Sequence, residues 1–496
     1  MIKFTNLNFK YMNSDKKCLE NINLEIKKNE CILFTGVSGC GKTSILRLIN
    51  GLIPNFYFGE LTGQVCIDDE NITNMDIRDI SRKVNSVFQN PKSQFFNAIV
   101  EDELAFKPEN YNMNPKDIVK NIKDILEKYK IKDFQKRNLF TLSGGEKQRI
   151  CCLTSETFPA EIIVLDEPSS NLDVDSIEKL REIITKWKKE GKTIIIAEHR
   201  LWYLMGLADR VYYMKEGKIE RTFSGNEFED IPYKALKEMG LRSNQNRKLK
   251  FYSRIGNITD NKANKYKNNN LIQIDYLKFR VKEKELLDIK NIFLPMNSII
   301  GIVGLNGVGK STFMNCFCGL EKKSKEVIKV AGIKMDKKQR LKKSYIVMQD
   351  VNHQLFTESV EEEMKVNLSA KYADGKYIDI LKSLNLYHLL EKHPMSLSGG
   401  QKQRLAIATA MVSDRDIIFF DEPTSGLDYY HMQEVAKNML ELKKERKTIF
   451  IITHDYELIE ECCEHILCFD NQSKRIIGNF SDEKITKLYL GEKHGS

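Results

Sequence analysis

Along this chain the apolar residues change their spacing in an order that recurs. The opening stretches IKFTNLNFKY and NINLEI alternate apolar and polar positions, the two-residue period of strands with one buried face. An unbroken apolar run, CILFTG, then leads into a glycine-rich loop and the helical spacing of TSILRLIN. EIIVLDEP and TIIIAEH follow, and their continuous apolar character is that of strands covered on both faces of a parallel sheet. Residues 114–141 are polar with helical spacing. The order then returns. LIQIDYLKF and DIKNIFL alternate, IIGIVG enters a second glycine-rich loop before STFMNCFCG, DIIFFDEP and TIFIITH are continuous, and residues 370–396 again read helical and polar. Strands alternating with helices predict an α/β fold class, here in two copies, each with a parallel-sheet core and a small helical subdomain.

The copies superimpose in sequence. Gly304 lies 268 residues after Gly36, Gln349 lies 260 after Gln89, and Ser398, Asp421 and His454 each lie 255 after Ser143, Asp166 and His199. Insertions therefore fall early in the repeat, while its later half keeps rigid spacing. This is a domain-sized duplication, as expected of 496 residues, too many for one core. The expected division is residues 1–225, a linker over 226–270, and residues 271–496.

The candidate chemistry sits at matched places. Gly36, Val37, Ser38, Gly39, Cys40, Gly41, Lys42, Thr43 and Ser44 spell the pattern GxxxxGK[ST], as do Gly304, Leu305, Asn306, Gly307, Val308, Gly309, Lys310, Ser311 and Thr312. Glycines let backbone N–H groups wrap phosphate oxygens, the lysine reaches the β/γ-phosphates, and the hydroxyl holds Mg²⁺. Asp166-Glu167 and Asp421-Glu422 end apolar runs, where a carboxylate is costly unless it meets a cation. The first acid of each pair is placed to anchor Mg²⁺ and the second to polarise an attacking water. LSGGE and LSGGQ set Ser143, Gly144, Gly145 and Ser398, Gly399, Gly400 at helix starts, sites for an anion, each serine 23 residues before its Asp-Glu pair.

Two such loops, two LSGG signatures, VLDEPSSNLD with FFDEPTSGLD, and AEHR with ITHD resemble the ATP-binding cassette ATPases over both halves of the chain. The resemblance implies two tandem P-loop NTPase domains, each with an antiparallel β subdomain beside its parallel core. It implies ATP and Mg²⁺ as cofactors, held in composite sites in which the loop of one cassette faces the signature of another, in this chain or a second. It makes Gln89 and Gln349 ligands to Mg²⁺ and the attacking water, beside Thr43, Asp166, Ser311 and Asp421 on the metal. Glu167 and Glu422 become the catalytic carboxylates, and His199 and His454 the histidines that sense the γ-phosphate. Tyr11 and Phe279, each 25 residues before its loop, become the aromatics that stack on adenine. Departures are Asn171 where a small residue is usual, Glu146 for the commoner Gln, and Arg200 where Asp455 stands in the second copy.

After each of Gln89 and Gln349 a second echo, QNPKSQFFNAIVEDELAF against QDVNHQLFTESVEEEMKV, resembles the energy-coupling factor transporters, importers of vitamins or metal ions. It implies that Gln94, Phe95, Phe96, Glu101, Asp102 and Glu103, with Gln354, Phe356, Glu361, Glu362 and Glu363, receive arginine-bearing coupling helices of a membrane scaffold subunit, which works with a substrate-binding membrane subunit. The alternatives are a soluble translation factor of the ABC-F type, a tandem sugar-importer ATPase and a DNA-repair cassette protein. The first needs a long helical arm between cassettes, and the last needs zinc modules.

Composition narrows this further. No stretch approaches the roughly 18 apolar residues of a membrane span, and the start lacks the apolar core of a signal peptide. The expectation is a peripheral protein on the cytoplasmic face of the membrane. The net charge of +9 is concentrated in residues 241–270, which alone hold +7, so the excess reads as a solvated linker skimming anionic lipid rather than a nucleic-acid-binding face. The eleven cysteines show no CxxC or Cys/His ligand spacing and are read as buried, reduced thiols.

Overall fold

A computed structural model describes residues 1–12, 14, 16–170, 172–245, 270–282, 284–370, 375–469 and 476–477. Of the expected linker, residues 246–269 lie outside this set, as does Asn171. Two compact units form, the first built mainly on Met1–Asn246.

In the first unit, β1 (Ile2–Tyr11) pairs antiparallel with β2 (Leu19–Ile26), and the alternating pattern buries Ile2, Phe4, Leu7 and Phe9 on one side. The apolar run becomes β3 (Cys31–Gly36), buried at every position. After the loop and the helix Lys42–Ile49 come β4 (Gly59–Ile67) and β5 (Glu70–Asn71), which complete a four-stranded sheet in the order β2-β1-β4-β5. The core strands β6 (Val84–Val87), β7 (Ile162–Asp166) and β8 (Thr193–Ala197) run parallel with β3. With β9 (Arg210–Lys215) and β10 (Lys218–Ser224) they make a six-stranded sheet ordered β10-β9-β3-β8-β7-β6. β3 is thus flanked on both sides, and its carboxyl end, with those of β7 and β8, forms one edge of the sheet. Ligands of open parallel sheets gather at such an edge.

The second unit repeats this. β11 (Leu271–Val281), β12 (Lys284–Pro295), β14 (Lys325–Val330) and β15 (Ile333–Lys334) form the antiparallel sheet β12-β11-β14-β15. β13 (Ile299–Val303), β16 (Ser344–Val347), β17 (Ile417–Asp421), β18 (Thr448–Ile452), β19 (His465–Phe469) and β20 (Ile476–Ile477) form the core sheet β16-β17-β18-β13-β19-β20, the same order element for element. Phe419 stacks on Phe450 at 4.5 Å, with Phe317 5.3 Å from the former.

The helical subdomains take the expected places. Pro115–Lys128 buries Ile118, Ile122, Ile125 and Leu126 along one stripe, and Asn114 caps it by accepting from the Lys116 N–H. Its counterpart is the shorter helix Tyr377–Ser383.

The expected linker is corrected at its start. Residues 226–245 are folded onto the first unit. Helices Gly225–Glu229 and Tyr233–Glu238 bury Phe228 and Leu236, and Leu241 joins the same core. The Asn244 side-chain amide donates to the carbonyls of Phe228, Glu229 and Ile231. The basic composition masked this, because three apolar anchors among many polar residues leave little periodicity to read.

Phe419→Ala should destabilise the second unit by about 3–5 kcal/mol, the usual cost of emptying a buried phenylalanine site. Differential scanning calorimetry should show one transition lowered and the other in place.

Candidate nucleotide site

Each glycine-rich loop leaves a buried strand and enters a helix. Gly36 has no alternative at its position, since a Cβ there would lie 2.2 Å from the Met214 carbonyl oxygen. Gly39 and Gly307, at φ +80° and +78°, are exposed, and a Cβ at either would meet open space. Lys42 and Lys310 start the helices and are almost wholly buried. The Lys42 ammonium donates to the carbonyls of Gly36 and Val37 at 3.0 and 3.2 Å, and Lys310 to those of Gly304 and Leu305 at 2.7 and 2.9 Å. A buried cation resting on neutral backbone carbonyls is a strong receptor for anionic oxygens.

The next residue points the other way. Thr43 Oγ1 donates to Asp166 Oδ1 at 3.0 Å and Ser311 Oγ to Asp421 Oδ2 at 3.1 Å. Burial raises the pKa of both aspartates, and the hydroxyl bonds only partly offset it. A hydroxyl beside an uncompensated carboxylate is a hard-oxygen donor pair that fits Mg²⁺. Among the described residues no cluster of His, Cys, Asp and Glu is built to hold a metal by itself, so the remaining ligands would be phosphate and water.

Glu167 and Glu422 follow directly, and both adopt left-handed backbone geometry, φ 42° and 49°. Their N–H groups nonetheless donate to the Ala197 and Ile452 carbonyls, so the sheet edge continues while the side chain is turned toward the loop. Glu167 accepts from Gln89 Nε2 at 2.7 Å and lies 3.5 Å from His199 Nε2. Although 13 % of its side chain reaches the surface, burial pushes its carboxyl up to about 8 against the pull of Lys42, and Asp166 adds to the rise. Glu422 lies 3.5 Å from His454 Nε2. That same nitrogen is 3.0 Å from Asn306 Oδ1 and 3.3 Å from Lys310 Nζ. The first cassette has Ser38 in place of Asn306.

Ser143 and Ser398 cap the helices Gly144–Thr154 and Gly399–Val412. Each hydroxyl accepts from the N–H of Glu146 or Gln401, whose side chain accepts from the serine N–H, a closed capping box. The change from Gln to Glu at 146 is therefore conservative in the cap. Burial opposes ionisation of Glu146, but the Ser143 bonds and Arg137 outweigh it and hold its pKa below the ordinary value. Both tips, including Gly144 and Gly399, are exposed, with Gly145 and Gly400 half-buried behind them.

The aromatic assignments divide. Tyr11 ends β1 half-buried, its hydroxyl 2.8 Å from Ser44 Oγ and accepting from Arg47 at 3.0 Å, with Arg47 lying 3.8 Å over the Tyr57 ring. Phe279 instead sits in the second core at 8 % exposure. β11 runs on past it to Val281 and pairs Phe279 with Leu287, so its ring is enclosed rather than offered for stacking.

The acidic segments after Gln89 and Gln349 also separate into two roles. Glu103 and Glu363 are buried and accept from the N–H groups of Phe96 and Asn97, and of Phe356 and Thr357. Gln94 and Gln354 brace the preceding strand backbone through Phe88 N–H and Met348 N–H. Phe95 packs on the first core, Gln135 donates to Glu101, and Tyr377 donates to Glu361. What faces solvent is Phe96 with Asp102 and Phe356 with Glu362, the phenylalanines 75 % and 74 % exposed.

Eight of the eleven cysteines are buried and all are free. No described helix is long and apolar enough to cross a membrane. The residues missed by sequence reasoning are Glu198 and Tyr203 beside His199; the visible signal was Glu198 against Thr453 next to a matched histidine.

The family model described as ABC transporter matches residues 19–170 and 287–425. A Treponema denticola protein bearing the name ABC transporter ATP-binding protein is 40% identical over 99% of this chain and 98% of its own length. A second from the same organism is 34% identical over 96% of each chain. Among solved structures, an archaeal ribosome recycling factor, aABCE1, in complex with a ribosomal stalk protein superimposes with TM-score 0.64 at 21% identity, covering 98% of this chain and 92% of that one. That likeness is one of fold.

A carboxylate whose pKa is raised on folding loses stability as pH climbs from its unfolded to its folded value, here from about 4.5 to about 8. The loss is at most about 1.4 kcal/mol per pH unit. Glu167→Gln should therefore raise the melting temperature of the nucleotide-free chain near pH 8 and leave it unchanged below pH 4.5, as thermal melts across that range would reveal.

Proposed function

Because the chain belongs to the ABC transporter ATPase family, we propose that its two cassettes hydrolyse ATP to drive an importer of the energy-coupling type. The observation that carries the reading is the repeated pairing of a buried loop lysine with an Asp-Glu-His edge. Lys42 and Lys310 would exchange their loop carbonyls for β/γ-phosphate oxygens. Thr43 with Asp166, and Ser311 with Asp421, would hold Mg²⁺, which supplies charge neutralisation at the phosphates when bound; Gln89, bonded to Glu167, and Gln349 would share it. Glu167 and Glu422 would accept a proton from the attacking water, with His199 and His454 orienting the γ-phosphate. The exposed tips Ser143-Gly144 and Ser398-Gly399 would complete the opposite sites, in this chain or a second.

The coupling surface narrows to Phe96 with Asp102 and Phe356 with Glu362. An exposed aromatic beside an unburied carboxylate, repeated in both cassettes just after Gln89 and Gln349, suits an arginine-bearing amphipathic helix of a membrane scaffold subunit. Glu103 and Glu363 shape the loop instead of meeting the partner. Action on the ribosome, as the name of the recycling factor of similar fold states for that protein, is the alternative.

ATP turnover should fall about 10²–10⁴-fold in the Glu167→Gln, Glu422→Gln double variant; near-normal phosphate release would sink the assignment. Asp102→Lys with Glu362→Lys should lose membrane subunits on co-purification while ATPase activity persists. Retention of those subunits, or recovery of ribosomes instead, would refute the importer reading.

A further inference from the structure

The two cassettes hold their catalytic glutamates by different hydrogen bonds, and one buried residue accounts for it. In the second cassette Glu422 Oε2 accepts from the Thr453 hydroxyl at 3.4 Å and from the His454 backbone N–H at 3.3 Å. The carboxylate is thereby tied to the strand end that carries the histidine. In the first cassette Glu198 stands where Thr453 stands in the second. Its side chain is buried, and as a carboxylate it cannot donate. Glu198 Oε1 accepts from the N–H groups of His199 at 2.8 Å and Arg200 at 3.1 Å. Oε2 accepts from the Tyr203 hydroxyl at 2.9 Å and the Ser169 N–H at 3.3 Å. The backbone N–H that serves the catalytic carboxylate in one cassette is thus given to a different carboxylate in the other.

The segment beyond the catalytic glutamate is fastened differently as well. Arg200 donates to the carbonyls of Ser169 and Leu172, so Glu198 and Arg200 together grip that segment from both its N–H and C=O sides. In the second cassette Thr424 Oγ1 donates to Asp455 Oδ2 at 2.7 Å. The paired changes, Glu198 for Thr453 and Arg200 for Asp455, are therefore one exchange of a clamp.

We propose that Glu198 is a positioning residue that makes the two hydrolytic sites unequal, by taking the His199 N–H away from Glu167, so that the first cassette's general base is held by the Gln89 amide at 2.7 Å and not by the strand end that carries its histidine. The site bearing Glu167 then turns over more slowly than the site bearing Glu422, with similar affinity for ATP, since nothing in this exchange touches the phosphate loop. The proposal rests on Glu167 and His199 serving hydrolysis.

The test measures each site alone in the full-length chain. In a Glu422→Gln background, turnover reports the Glu167 site, and Glu198→Thr, which installs the second cassette's own residue, should raise kcat about fivefold, the order of one net hydrogen bond, with KM unchanged. Glu198→Gln keeps the acceptor and removes only the charge, so it should raise kcat by less. In a Glu167→Gln background, Thr453→Glu should lower kcat of the Glu422 site by a similar factor, again at constant KM, and this arm stands even if Glu198→Thr folds poorly. Unchanged kcat in both exchanges, a shift carried by KM, or Glu198→Gln equalling Glu198→Thr would each overturn the proposal. The Glu167→Gln, Glu422→Gln variant separates the two levels: if it still hydrolyses ATP the site assignment fails, whereas if it is silent and the exchanges have no effect only the role of Glu198 fails.

Discussion

The structure turns on keeping charge at the end of a strand that is buried on both faces. β3 and β13 lie inside their sheets, and the loop that follows each must return an ammonium to the interior instead of solvent. It does so because glycines at positive φ aim backbone carbonyls inward, and Lys42 and Lys310 rest on them. The neighbouring strand ends then have to present carboxylates to the same space, and they do, at Asp166-Glu167 and Asp421-Glu422. Opposite charges brought to one sheet edge by a turn of backbone suit a polyphosphate better than any neutral ligand.

Much of this was legible in the sequence because it is written in spacing. Continuous apolar runs located the central strands, glycine-rich loops located their ends, and the constant later offset placed both Asp-Glu pairs and both histidines. What escaped was set by three-dimensional neighbours. Phe279 matches Tyr11 in sequence separation, yet β11 continues past it and closes the ring into the core. Glu103 and Glu363 read as two members of an acidic run, but each is drawn inward by two backbone N–H groups, which no one-dimensional pattern distinguishes from Asp102 or Glu362. Residues 226–245 read as connector because their few apolar anchors are too sparse to show a period.

Duplication preserved the sheet order of both units while letting local chemistry diverge. Glu198 against Thr453 and Arg200 against Asp455 flank the histidine, and Ser38 stands against Asn306 in the loop. Divergence at the edge of a retained framework is what a repeated catalytic unit permits: the framework is bound by packing across many residues, and the edge by a handful of hydrogen bonds.

The self-closed caps at Ser143 and Ser398 bear on what such a tip needs in order to hold its form. An empty helix end elsewhere would leave its first-turn donors bare, and departure of an anion would expose them all at once. Here the Glu146 and Gln401 side chains stay on the serine N–H, and the serine hydroxyl stays on the third amide. Two of each tip's orphan donors are therefore met by its own side chains, so the tip keeps its shape without help from outside.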